Sequence, residues 1–136
     1  MIDTNRILPF LLTLLVQGTF LNYVLKLERI KCICSEDNRR DIIKYYSGLL
    51  IVMGVLMIVV PKDLPILKQY VLPLIGLLNI VYLVVVVSYV RNLVNKKCEC
   101  SGTWERDVMY AYSLMLMAVV ALILVSIVGS LIIIKL

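Results

Sequence analysis

Long uncharged runs alternate with short charged clusters along this 136-residue chain. Nineteen uncharged residues separate Arg6 from Lys26, and seventeen separate Lys44 from Lys62. Twenty-two lie between Lys68 and Arg91, and twenty-seven between Asp107 and Lys135. Crossing a bilayer core takes roughly 20 apolar residues, with a range of about 17–25. The pattern therefore predicts four transmembrane helices, at about 7–25, 43–61, 69–91 and 108–134. The first run is longer than the roughly 7–15 residues of a signal-peptide core. Leu-Asn-Tyr-Val-Leu-Lys follows it without a small-x-small cleavage pattern, so it is expected to be a retained span.

Composition agrees. Hydrophobic residues make up 62% of the chain and charged ones 17%, and a soluble fold of this size has too little interior to hide that much apolar surface. Disorder, nucleic-acid-binding folds, soluble enzymes and β-barrels are excluded. The expected class is an all-α, multi-pass integral membrane protein forming a single domain. The net charge of +5 then reads as topology rather than as a nucleic-acid footprint, because basic residues gather where short loops meet the cytoplasm. Ten basic residues lie in the two long connections: Lys26, Arg29, Lys31, Arg39, Arg40, Lys44, Arg91, Lys96, Lys97 and Arg106. Only Arg6, Lys62, Lys68 and Lys135 lie on the other side. Both long connections are expected to face the cytosol, with both termini and the Pro61–Pro65 turn opposite.

The chain also repeats itself. A shift of 66 places aligns residues 23–50 with 89–116, and 12 of the 28 pairs are identical. The matches are Tyr23/Tyr89, Val24/Val90, Leu27/Leu93, Lys31/Lys97, Cys32/Cys98, Cys34/Cys100, Ser35/Ser101, Arg40/Arg106, Asp41/Asp107, Tyr46/Tyr112, Ser47/Ser113 and Leu50/Leu116. Hydrophobic bias does not produce matched cysteines, serines and Arg-Asp pairs. Each unit, about 1–66 and about 67–136, is span, polar connection, span. Two spans return the chain to its starting side, so the copies run parallel about an axis along the membrane normal, unlike inverted-repeat transporters. Each copy has a proline early in its first span (Pro9, Pro73), a position tolerated near a helix start. Ser35 and Ser101 are expected to cap the helices that follow. Tyr45, Tyr46, Tyr110, Tyr112 and Trp104 fall at headgroup depth as an aromatic belt.

The four cysteines are the most informative residues. Cys32/Cys34 and Cys98/Cys100 are two Cys-x-Cys pairs that the repeat places on one face. Four thiolates can hold a zinc ion in a closed tetrahedron, although the usual spacing is Cys-x-x-Cys. Disulfides between the copies suit a symmetric bundle, but a cytosolic face keeps thiols reduced. Free or lipid-modified thiols are the remaining state. A membrane thiol oxidoreductase would place cysteine pairs in the same loops, usually as Cys-x-x-Cys with a low-pKa thiolate. Within the predicted spans there is no Asp, Glu, Lys, Arg or His, which argues against a pump or coupled transporter. A small channel ranks below both other readings. Gln17 and Asn79, the most polar residues at mid-membrane, are expected to bond between helices. The sequence has no nucleophile–base pair, phosphate loop or carboxylate dyad, so no catalytic residue is expected.

The element Cys32-Ile-Cys-Ser-Glu-Asp-Asn-Arg-Arg-Asp41 and its copy Cys98-Glu-Cys-Ser-Gly-Thr-Trp-Glu-Arg-Asp107 resemble small multi-span proteins of the nucleocytoplasmic large DNA viruses. In those, Cys-x-Cys-Ser stretches followed by Trp-Arg-Arg lead into a span. Asn38 stands in the first copy where the second has Trp104. The resemblance implies a component of a virion's internal membrane, a minor capsid protein joining that membrane to the shell. Such viruses also encode thiol oxidases, which would permit disulfides in virions assembled in the cytosol. The expected function is structural. The Cys-x-Cys loops, with Arg39, Arg40, Asp41, Trp104, Arg106 and Asp107, would dock a neighbouring membrane or capsid protein or a second copy of the chain. No nucleic acid is expected as a partner, and no cofactor other than zinc at the four cysteines.

Overall fold

A computed structural model describes residues 4–59 and 65–136. It consists of four long helices: α1 (Thr4–Arg29), α2 (Asn38–Val59), α3 (Leu72–Asn95) and α4 (Trp104–Lys135). Among the described residues there is no strand. A π-helical turn, Leu67–Val71, runs directly into α3, and Pro73 sits in the first turn of that helix. Pro9 instead lies inside α1. Apart from Pro65, the Pro61–Pro65 turn falls outside the described residues.

All four helices are long and apolar enough to cross a membrane, so the chain is a multi-pass integral membrane protein in contact with the bilayer. The helices continue past the uncharged runs at the loop end, because Lys26, Arg29, Arg91 and the acidic starts of α2 and α4 can sit in the headgroup region while their backbones stay helical. At 32 residues, α4 is about 48 Å long, against a hydrocarbon core of about 30 Å. Its second half, from Leu122 onward, is almost wholly exposed, and in a bilayer that surface meets lipid.

Helix α1 packs mainly on α2 and α3 on α4, and the two hairpins meet along α2–α3 and α1–α4. The buried core gathers in the half nearest the connections. It holds the repeat-related pairs Tyr23/Tyr89, Val24/Val90, Leu27/Leu93 and Cys32/Cys98, with Ile43 opposite its counterpart Met109. The identical residues between the copies thus mark the inner surface near the loops.

The ends of α1 and α3 show why the loops are alike. Lys31 N–H donates to Glu28 C=O at 3.1 Å and Cys32 N–H to Leu27 C=O at 3.1 Å. In the second copy, Lys97 N–H reaches Val94 C=O at 3.0 Å and Cys98 N–H reaches Leu93 C=O at 3.2 Å. These paired bonds form a Schellman helix end. The residues that the longer bond joins, Cys32 with Leu27 and Cys98 with Leu93, all belong to the buried core. The turn requires a left-handed residue, and Lys31 and Lys97 both adopt φ 50°, a conformation strained for any side chain with a Cβ. Lys31→Gly or Lys97→Gly is therefore expected to be neutral or to stabilise by up to about 1 kcal/mol, the relief of strain being partly offset by a freer unfolded chain. Lys31→Val, β-branched at positive φ, is expected to lower thermal stability.

Ser35 and Ser101 do not cap the following helices. Each closes its own connection: Ser35 Oγ donates to Cys32 C=O at 2.6 Å and Ser101 Oγ to Cys98 C=O at 2.7 Å. Asp37 and Thr103, themselves repeat-related, precede the helices instead. The Asp37 carboxylate accepts from Arg39 N–H at 3.2 Å, whereas Thr103 makes no side-chain capping bond. Two residues separate Ser35 from α2, too many for a serine to reach the free N–H groups of the first turn.

Deeper in the bundle the repeat breaks down into a polar network. Tyr82 Oη lies 2.7 Å from Ser47 Oγ and donates to Gln17 Oε1 at 3.2 Å, and Tyr46 Oη donates to Asn79 Oδ1 at 3.3 Å. Three helices are joined by these bonds, each worth about 0.6–2 kcal/mol in lipid. Gln17 and Asn79 are not repeat partners, since the 66-residue shift matches Gln17 with Leu83 and Asn79 with Thr13. The first hairpin supplies Ser47 and the second Tyr82, and the repeat-mate Ser113 is buried with no hydrogen-bond partner for its hydroxyl.

Candidate functional site

The two connections meet over the bundle axis. Each begins with the left-handed lysine, turns through a short 3₁₀ segment (Ile33–Ser35, Glu99–Ser101) and then enters the next helix. Backbone geometry is shared closely at the entry: Cys32 has φ −71° and ψ 88°, and Cys98 has φ −71° and ψ 91°. At the exit the angles differ, with ψ 112° at Glu36 and 67° at Gly102.

This geometry brings all four cysteine sulfurs within 4.8 Å of one another. They are joined as two disulfides, Cys32–Cys100 and Cys34–Cys98, with Cα–Cα separations of 6.0 and 5.9 Å. The 66-residue shift converts each bridge into the other, so the pairing obeys the repeat symmetry. Every bridge joins one copy to the other. Cys32 and Cys98 are buried, Cys34 and Cys100 exposed, so each disulfide has one sheltered and one accessible sulfur. Non-bonded sulfurs also touch: Cys32 to Cys34 and Cys98 to Cys100 at 3.7 Å, Cys32 to Cys98 at 3.6 Å, and Cys34 to Cys100 at 3.4 Å.

A second reciprocal lock lies beneath the sulfurs. Tyr23 of α1 donates its hydroxyl to Ser101 C=O in the other copy's connection at 2.9 Å, and Tyr89 of α3 donates to Ser35 C=O at 2.9 Å. Both rings are fully buried. The serine in each loop thus fixes its own turn through its hydroxyl and receives the opposite helix through its carbonyl. Around the rim, Lys26 pairs with Glu105 at 3.3 Å across α1 and α4. Asn92 of α3, the repeat counterpart of Lys26, reaches Asp37 before α2 at 3.4 Å. Lys44 and Glu28 meet at 2.9 Å within the first hairpin.

The six residues proposed from sequence to face a partner are not equivalent in space. Asp41, Trp104 and Asp107 are exposed, whereas Arg39, Arg40 and Arg106 are partly buried. Arg40 turns inward and donates from Nη1 to Ser35 Oγ at 3.3 Å, leaving its buried Nε without a partner. Arg106 pairs with its neighbour Asp107 at 3.3 Å, and Arg39 with Asp37 at 3.3 Å. Recurrence of the Arg-Asp register therefore has a local use in at least the first copy, where Arg40 braces the loop. Sequence reading overlooked Tyr23, Tyr89 and the structural use of Ser35 and Ser101, although all four stand among the repeat identities. It also overlooked Ile33, an apolar residue 79% exposed between the two cysteines of the first loop.

Compared with protein-family models, curated proteins and solved structures, the chain finds no match. The viral resemblance rests on its two ten-residue elements alone.

Proposed function

We propose that the protein is a structural component of a membrane, a four-span scaffold whose two Cys-x-Cys loops form one rigid platform for a neighbouring protein. The setting that the resemblance implies is the internal membrane of a virion, with the chain as a minor capsid component and its loops on the basic, cytosolic-type face. The reciprocal clasp supports this reading most strongly. Two bridges and two tyrosine–carbonyl bonds spend the loops' freedom on holding the copies together. Rigid surfaces lose little entropy on docking, which favours affinity. Ile33 and Trp104, 79% and 67% exposed, supply apolar contact, and Asp41 and Asp107 supply charge. Aromatic anchors of this kind commonly carry the binding energy of an interface.

The discriminating experiment places a photo-crosslinking residue at Ile33 and compares it with Trp104→Ala and Asp41→Ala in the same background. A neighbour captured at Ile33 and lost in Trp104→Ala, with membrane insertion unchanged, is the expected result. Arg40→Ala is unsuitable because it removes a brace of the loop itself. If Ile33 captures only lipid, or if Trp104→Ala leaves the captured neighbour unchanged, the platform reading is wrong.

One observation favours a second reading, a membrane thiol oxidoreductase. Each disulfide has an accessible sulfur, Cys34 or Cys100, in contact with the sulfurs of the other bridge, as exchange chemistry requires. An oxidoreductase carrying Cys32→Ser or Cys98→Ser stays folded and loses electron transfer, whereas a scaffold loses stability or assembly.

A further inference from the structure

We infer that, when its cysteines are reduced, the chain binds one zinc ion on the axis relating the two repeats, through Cys32, Cys34, Cys98 and Cys100. The inference does not rest on the docking proposal. It rests on the shape of the sulfur cluster. A tetrahedral zinc tetrathiolate has Zn–S distances of about 2.3 Å, so its six sulfur–sulfur edges are each about 3.8 Å. Four of the six edges in this cluster are already 3.4–3.7 Å long. The other two are the disulfides. Opening each from a bonded separation of about 2.0 Å to that edge moves each sulfur by about 0.9 Å.

Cys-x-Cys is a poor chelate in an extended chain, where successive side chains point to opposite faces. Here the 3₁₀ turn brings both sulfurs of each pair to the same side, 3.7 Å apart. The surrounding shell is built to hold this arrangement. Ser35 and Ser101 tie the cysteine carbonyls through both hydroxyl and N–H, at 2.6–2.7 Å and 3.0–3.1 Å. The buried tyrosines fix the far side of each turn. Supporting contacts of this kind orient metal ligands. The site carries two negative charges when four thiolates surround Zn²⁺, and Lys31, Lys97 and Arg40 stand next to or close to the cysteines in the chain to offset them.

Four equivalents of a glutathione-class thiol reduce the two bridges, giving four cysteine thiols and two molecules of external disulfide. Zinc then displaces four protons as it binds four thiolates. On a cytosolic face, where thiols are kept reduced, the metal holds the copies together. Where a disulfide-class oxidant is supplied, two molecules of it take up the four electrons and four protons and leave as four thiols, while the ion is released and Cys32–Cys100 and Cys34–Cys98 form. The clasp is preserved in both states.

The test uses the full chain in detergent micelles, reduced with a phosphine, with Co²⁺ as the optical probe. One cobalt per chain is expected, with the intense visible bands of a tetrahedral tetrathiolate, displaced by one equivalent of Zn²⁺ and absent from the oxidised chain. Cys34→Ser, at an exposed position, is expected to weaken binding at least tenfold and to change the spectrum to that of a three-sulfur site. A reduced chain that retains its helicity by circular dichroism but gives no tetrahedral spectrum overturns the inference. So does a spectrum unchanged by Cys34→Ser. If Cys34→Ser fails to fold, thiol protection decides: Zn²⁺ bound to the unaltered chain must shield all four thiols from alkylation, and alkylation at the metal-free rate overturns the inference.

Discussion

Replacing Cys32 and Cys34 together by serine is expected to lower the chain's stability by about 2–4 kcal/mol, because it removes both covalent links between the repeats. The bridges span sequence separations of 68 and 64, and the chain-entropy relation gives about 4 kcal/mol for closing a loop of that length. The lower part of the range applies because spans that stay helical in the bilayer leave the unfolded state less freedom to lose. Cys34→Ser alone is expected to cost well under half as much. It leaves Cys32–Cys100 in place, and with one bridge formed the other closes only a short ring. Thermal unfolding in micelles with a metal chelator present checks both values. A reductant should bring the unaltered chain down to the double variant. Equal losses for the single and double variants would show that the bridges do not act as nested links.

Tyr23→Ala and Tyr89→Ala are each expected to cost about 3–5 kcal/mol, the range for emptying a buried aromatic site. Tyr89→Ala also takes the tyrosine donor from Ser35 C=O, whereas after Tyr23→Ala the Ser101 carbonyl still accepts from Thr103 N–H at 2.9 Å. Tyr23→Phe and Tyr89→Phe keep the ring and lose only the hydroxyl bond to Ser101 or Ser35, for about 1 kcal/mol. The comparison separates packing from the clasp. The two tyrosines perform the same task in the two copies, and Tyr89→Phe is expected to be the costlier by up to about 1 kcal/mol, because Ser101 C=O retains the Thr103 N–H donor. A larger difference between Tyr23→Phe and Tyr89→Phe would mean that one loop alone is held this way.

The architecture is legible in the sequence because a bilayer imposes a length on every span. Four uncharged runs of sufficient length leave little other choice, and the 66-residue identities place the copies side by side. The identities say more than that. Tyr23/Tyr89 and Ser35/Ser101 form the clasp, but sequence alone reads tyrosine near a membrane face as an anchor and serine before a helix as a cap. Both are local rules, and here a contact with the other copy overrides them. The cysteine pairing follows only once the 3₁₀ turns turn both sulfurs of each Cys-x-Cys to the same side, a backbone property invisible in the spacing. Charge was least informative about contact. Arg40 and Arg106 occupy the same register, yet one braces Ser35 and the other pairs with its neighbour Asp107, because a long, partly buried side chain settles on whichever acceptor lies nearest.

The two copies are joined to each other through their cysteines rather than each closing on itself. A protease site inserted near Pro61, between the copies, tests it most directly. After mild oxidation and cleavage, the two halves should migrate together on a denaturing gel without reductant and separate when reductant is added. Halves that separate without reductant would contradict the account, since Cys32 would then be bound to Cys34, Cys98 to Cys100, or none of the four to another.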